Sequence, residues 1–341
     1  MLCSNIGINE SGHLTFAGED TVRLAAHYKT PLYLMDEDRI RENCRIYKTA
    51  MERAFGAGSY PLYASKAASF KRMYTIMQEE KMAIDVVSAG EIATAKRAGF
   101  SMERAFFHGN NKTDADVSYA MAANVGYFVA DHEEELEIIS REAKSRGIRQ
   151  KVLLRLTPGI DPHTYEAVAT GKVDSKFGVA IETGQAEHFV QHALNLPNLR
   201  LMGYHCHVGS QVFDEDGSVY HNAAKIMMTF AAEMKKKYGA ELQVLDLGGG
   251  YGVRYTDADP QVNIPENIEQ LAGTIKALCA ELSLPMPAVL LEPGRSIVAD
   301  AGLTIYTAGS TKSIPGYKTT LSAEEFMQQV EDVGVAVIGQ S

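Results

Sequence analysis

The sequence predicts an α/β fold, a closed (β/α)8 barrel, and three observations predict it. Short apolar runs alternate with longer amphipathic stretches about eight times along the middle of the chain. Several of the short runs are almost continuously apolar, as strands buried on both faces must be. Polar and glycine-rich residues close many of these runs and are spread along the chain. A barrel brings all such strand ends to one face, where barrel active sites sit, whereas an open doubly wound sheet gathers them near one switch point. The spread favours the barrel.

The elements follow in order. The first residues read as a short strand and helix, and "TPLYLMDEDRIRENCRIY" adds a strand and an entry helix. Barrel strands are expected at Leu62–Ala67, Ala83–Gly90, Ala105–Asn110 and Gly126–Asp131. Four more are expected at Lys151–Gly159, Leu201–Ser210, Leu242–Gly250 and Ala288–Ser296. Between them, "EIATAKRAG" sets Ile92, Ala95 and Ala98 on one helical face and stops at Gly99, a helix-ending glycine. "HEEELEIISREAKSRG" starts acidic, ends basic and closes on Gly147, which matches the helix dipole. "NIEQLAGTIKALCAEL" is a further amphipathic helix. After Ala301 the pattern is a strand and hairpin, and "EEFMQQVEDVGVAVIGQS" reads as helix, then strand or tail.

Composition narrows the function. The chain has 341 residues, 45% hydrophobic and 22% charged, which is ordinary globular composition. A formal charge of -10 disfavours general nucleic-acid binding. No apolar run approaches the ~20 residues of a membrane span, and the N-terminus lacks the pattern of a secretory signal. Cys3, Cys44, Cys206 and Cys279 show neither disulfide-framework nor zinc spacing, so reduced thiols in a cytoplasm are expected.

Four places can carry chemistry. Lys66, in "YASKA", ends the first barrel strand; such a lysine is either a desolvated Schiff-base nucleophile or one that snorkels to the barrel mouth. His205 and His207, in "HCHVGSQ", lie two apart and would share a strand face. They could bind a metal, stack on a flat ligand, or be core histidines; no acidic partners for a metal site are evident, and none is assigned. Ser210 follows as a possible phosphate donor. In "LDLGGGYG", Gly248, Gly249, Gly250 and Gly252 would let the backbone approach an anion, or form a tight turn. "LLEPGRS" offers Glu292 for a protonated ring nitrogen and Arg295 for a phosphate or carboxylate; a closing Glu–Arg pair is the alternative. The late glycines and Arg295 suit the phosphate site often built after strands 7 and 8 of such barrels. A lysine, a histidine, a phosphate cradle and a carboxylate on one face answer the needs of pyridoxal 5'-phosphate.

In sequence order, "YASKA", "DVVSAGE", "FHGNNK", "TGKVDSKFG", "HCHVGSQ", "LDLGGGYG" and "EPGRSIVADAG" resemble the fold type III pyridoxal-phosphate decarboxylases, most of all the diaminopimelate decarboxylase branch. The resemblance implies a TIM-like barrel of the alanine racemase type with an incomplete flanking β-domain. The segment 1–30 would belong to that β-domain, 31–301 to the cofactor-binding barrel, and 302–341 to the truncated start of the C-terminal β-domain. It also implies that Lys66 bonds to the cofactor and that His207 stacks on its ring. Ser210, Gly249, Gly250, Gly294 and Arg295 would surround the phosphate, with Arg295 also reaching a substrate carboxylate, and Glu292 would pair with the ring nitrogen. Asp85, His108 and Arg155 would support them.

Related alanine racemases carry an arginine where this chain has Glu292, so the glutamate implies decarboxylation rather than racemisation. The implied reaction is decarboxylation of meso-2,6-diaminopimelate to L-lysine and carbon dioxide, in lysine biosynthesis, by a homodimer. Alternatives are a decarboxylase for ornithine, arginine or carboxynorspermidine, or a barrel that binds the cofactor without turnover. The family's Cys-Glu-Ser motif and its tyrosine near the phosphate have no counterpart after about Thr320, so impaired turnover is expected.

Overall fold

The computed structural model describes residues 3–160, 176–213 and 217–310. The chain divides into two compact units, Asn43–Gly252 with Val262–Ile297, and Met1–Glu42 with Val253–Gln261 and Val298–Ser341.

The larger unit is built on parallel strands β1 (Tyr60–Ala64), β2 (Ala83–Val86), β3 (Ala105–Phe107), β4 (Tyr127–Ala130), β5 (Gln150–Thr157), β6 (Leu199–His205), β7 (Val244–Asp246) and β8 (Ala288–Leu291). Each pairs with the next, and the sheet closes where Leu290 of β8 faces Tyr60 of β1. This is the predicted closed barrel. Its strands are shorter than the apolar runs, because the polar residues ending each run lie at or beyond the last ladder pair. A two-residue strand, Val179–Ala180, runs beside the end of β5.

Helices follow β1 to β7 in turn, at Lys71–Glu79, Ala89–Arg97, Asp114–Ala122, Glu133–Ser145, Gln185–Asn195, Ser218–Tyr238 and Ile264–Glu281. Local sequence starts and stops them. Ser88 accepts from the Glu91 N–H, and Thr113 forms a capping box with Asp116. The predicted stops hold, with Gly99 and Gly147 just past their helix ends at φ of +80° and +65°.

Inside the barrel, one residue from each strand forms an apolar floor: Leu62, Ala83, Phe106, Val129, Leu153, Met202, Val244 and Leu290. Burial of each larger member stabilises the fold by about 1.5–3 kcal/mol. In β6 the register shifts between Leu201 and Gly203. A Cβ at Gly203 would lie 1.9 Å from the Val244 carbonyl oxygen, so only glycine lets β6 pass β7 this closely. The bulge leaves Tyr204 against Phe230 of the helix Ser218–Tyr238, and His205 is the next side chain to turn inward.

The smaller unit holds an antiparallel hairpin, Ile6–Ile8 with Leu14–Phe16, extended by Glu19–Asp20. One strand was expected there; Asn9 folds the run back by accepting from the Ser11 and His13 N–H groups. Asp20 caps the helix Thr21–Tyr28. Leu32–Met35 pairs antiparallel with Gly302–Ile305. The hairpin, helix and tail expected farther on lie outside the described residues, as does most of "TGKVDSKFG". No described helix is long and apolar enough to cross a membrane.

Candidate active site

Residues two apart on a strand share a face. Two positions beyond the floor, six strands therefore point ionisable groups into the barrel mouth: Asp85, His108, Asp131, Arg155, Asp246 and Glu292. On β6 the bulge delays this by one residue, to His205. On β1 a 3-10 turn, Ser65–Ala67, carries Lys66. Seven of the eight strands thus supply one ionisable side chain to one layer, and the turn after β1 adds Lys66.

Glu292 is at the centre of that layer. One oxygen, Oε1, lies 2.9 Å from His108 Nε2, and Oε2 lies 3.4 Å from His205 Nε2. The two imidazoles meet edge to face at 4.8 Å. Burial works to raise the Glu292 carboxyl, but the two histidines hold it well below the usual carboxylate range. Burial pushes His205 down to about 4, against the pull of Glu292, so its imidazole is neutral near pH 7. The sequence shows no acidic partner and no second histidine for His205. The parallel packing of β3, β6 and β8 supplies both, and His108, His205 and Glu292 offer ligand atoms within 4.8 Å of one another.

His207 does not share the strand face expected of it. The strand β6 ends at His205, and His207 lies in the following loop, where its Nδ1 accepts from the Gly249 N–H at 3.2 Å. Burial, with Lys66 nearby, holds it well below the usual imidazole range.

Lys66 reaches toward the same layer. Its Nζ lies 3.5 Å from Asp85 Oδ2; its side chain is 54% exposed and that of Asp85 is 1% exposed. A depressed lysine was one expectation. Instead Asp85, opposed by desolvation and helped by Glu292, raises Lys66 above its ordinary value. Two carboxylates outweigh the loss of water. Arg155 stands 3.9 Å from Asp131 and over the Phe177 ring at 4.3 Å. Asp131 also accepts from the Gly178 N–H at 3.0 Å.

The loops after β7 and β8 meet backbone to backbone. A Cβ at Gly249 would lie 2.0 Å from the Glu292 carbonyl oxygen, which excludes any larger residue. Arg295 opens the short helix Arg295–Val298 and donates to Ser210 Oγ at 3.3 Å. Behind these loops Tyr220 donates to the Gly249 carbonyl at 3.1 Å and stacks on Tyr251. Gly250 and Gly294 lie in the same loops. Ser210, Gly249, Gly250, Gly294 and Arg295 therefore gather on one side of the mouth, with Lys66, His207 and Glu292 beside them.

Sequence reasoning missed three groups. Asp246 is fully buried beside Glu292 and sat unnoticed in the apolar "LDLGGG". Asp131 ended an apolar run and drew no reading. The buried pair Lys112–Glu135, at 2.6 Å, ties the loop after β3 to β4, as Lys112 also donates to the Gly109 and Val129 carbonyls. A charged residue inside "FHGNNK" was the available signal.

The donor set fits pyridoxal phosphate. It combines a half-exposed amine, an ionised buried carboxylate, a neutral imidazole, and glycine loops with a serine and an arginine. His205 Nδ1 and both Asp85 oxygens are buried there without a hydrogen bond of ordinary geometry, so the layer holds polar groups that the protein alone leaves unsatisfied.

Comparison with known proteins agrees. The pyridoxal binding domain of the pyridoxal-dependent decarboxylases matches residues 37–299. A diaminopimelate decarboxylase of Bacillus methanolicus is 40% identical over 311 residues, covering 91% of this chain and 71% of the relative. That of Bacillus subtilis is 39% identical over 316 residues, 93% of this chain and 71% of the relative. Among solved structures, the diaminopimelate decarboxylase of M. jannaschii in complex with L-lysine superposes with a TM-score of 0.81 at 31% identity, over 92% of this chain and 72% of that one.

Proposed function

The chain belongs to the pyridoxal-dependent decarboxylases, and on that premise we propose that it converts meso-2,6-diaminopimelate to L-lysine and carbon dioxide. The observation that carries the reaction type is Glu292, kept ionised by His108 and His205 in the layer that Lys66 reaches. The names of the relatives carry the substrate.

When bound, pyridoxal phosphate offers an aldehyde to an amine and a protonated ring that takes up the electron pair left when a carboxyl group departs. In this reading Lys66 would hold the cofactor through its aldehyde, with Asp85 Oδ2, 3.5 Å from Nζ, orienting the amine. Glu292 would keep a proton on the ring nitrogen. His207, neutral and fixed by the Gly249 N–H, would cover the ring. Ser210, Gly249, Gly250, Gly294 and Arg295 would hold the phosphate, and Arg295 would also meet a substrate carboxylate. Arg155, His108 and Asp85 set the charge around them. A cytoplasmic homodimer completes the reading, supported by the family resemblance and tested by light scattering of the purified protein.

The test is carbon dioxide release by the cofactor-loaded protein from diaminopimelate, ornithine, arginine and carboxynorspermidine. The expected result is release from diaminopimelate with lysine as product. Release from another member alone would reassign the substrate. Bound cofactor with no release would favour a non-catalytic barrel.

A further inference from the structure

Two buried carboxyl groups stand side by side at the ends of β7 and β8. Asp246 pairs in register with Leu290, two residues before Glu292. The ladder continues past them, with the Leu247 N–H donating to Leu290 and the Glu292 N–H donating to Gly248 at 2.9 Å. Both side chains therefore turn to the same interior face. Asp246 is 0% exposed and Glu292 4%. Two adjacent carboxyl groups without water cannot both ionise cheaply.

The surroundings decide which one does. Glu292 has an imidazole nitrogen at each oxygen, 2.9 Å and 3.4 Å away. Asp246 has one backbone donor, the Gly248 N–H at 2.9 Å to Oδ1, and among the described residues no group donates to Oδ2. An ionised Asp246 would leave Oδ2 buried and unpaired beside another negative charge, whereas a protonated one has a carboxylate acceptor in Glu292.

We propose that Asp246 is a positioning residue that keeps its proton at neutral pH and donates it, as a hydrogen bond, to the Glu292 carboxylate. Burial and the neighbouring charge of Glu292 push the Asp246 carboxyl well above its usual range, and a hydrogen bond to Glu292 is among the causes. The proton stays on Asp246; no transfer is involved. The bond fixes the orientation of Glu292 from behind while the histidines fix its charge. The inference deepens the proposed function, since it assigns what holds the residue that faces the ring nitrogen.

The test compares D246N and D246L with the natural chain. An asparagine amide donates to Glu292 and still accepts from Gly248, so it imitates the neutral acid and cannot imitate a carboxylate. Infrared spectra of the cofactor-free protein at neutral pH should show the carbonyl stretch of a protonated carboxyl group, lost in D246N. Titration with pyridoxal phosphate should find the D246N dissociation constant within about threefold of the natural value, and that of D246L raised about tenfold or more. No such infrared band, or D246N weakened as far as D246L, would overturn the proposal. Should D246L fail to fold, the infrared comparison of the natural chain with D246N still decides. The infrared arm needs no cofactor, so failure of the cofactor reading would leave this result standing, and the reverse also holds.

Discussion

The barrel interior contains two layers that share strands, facing direction and burial, yet have opposite chemistry. The floor, from Leu62 round to Leu290, is apolar throughout. The layer above carries Asp85, His108, Asp131, Arg155, His205, Asp246 and Glu292, with side chains nearly as deeply buried. On most strands the two layers lie two positions apart, with one residue between them. The floor needs no partner beyond itself, because close packing satisfies it. The upper layer takes charges out of water, which costs stability and marks it as the functional layer. The difference locates function by its expense rather than by exposure.

Substitutions in the two layers should therefore fail in different ways. The largest effect is expected of Lys66→Ala, which should lower carbon dioxide release on the order of a thousandfold or more while leaving the urea midpoint unchanged. A shifted midpoint with activity intact would blur the distinction between the layers. Next, Phe106→Ala on the floor, where the ring stacks on Tyr127 at 4.3 Å, should cost about 3–5 kcal/mol of stability. Activity per folded molecule should stay within a few-fold, which denaturant titration and assay together would show.

The pH dependence comes third. His205 titrates near 4 in the folded chain against an ordinary value of 6.5, so the unfolded chain takes up a proton first as the pH falls. Stability is then full above about pH 6.5 and declines toward pH 4, by about 3 kcal/mol in all. Glu292, held low, adds losses at still lower pH. Denaturant midpoints measured across this window should slope, and His205→Gln should flatten the slope; a midpoint constant from pH 7 to 4 would contradict the assignment. The smallest effect is expected of Met202→Leu, under about 1.5 kcal/mol with no change in cofactor affinity.

Much of this was legible in the chain itself. Apolar runs marked the barrel strands, and the polar residues ending them marked the mouth, Lys66 and Glu292 among them, whereas Asp85, His108 and Arg155 came only with the family resemblance. What escaped were relationships across strands. Glu292 finds His108 and His205 only through the register of β3, β6 and β8, which no local pattern encodes. The extra residue Met202, unpaired between Leu201 and Gly203, decides that His205 faces inward, and a bulge leaves no mark on periodicity beyond a glycine. Asp246 was hidden because a buried carboxyl in an apolar run looks like a strand end until its neighbour is known. The charge of Lys66 likewise depends on Asp85, which belongs to another strand.

The most direct measurement is borohydride reduction of the pyridoxal-phosphate-loaded protein, followed by mass spectrometry of its peptides. A pyridoxyl phosphate adduct on the peptide containing Lys66, absent in Lys66→Ala, is the predicted result. An adduct on Lys112 or a surface lysine instead, or none at all, would contradict the assignment of the upper layer to a cofactor.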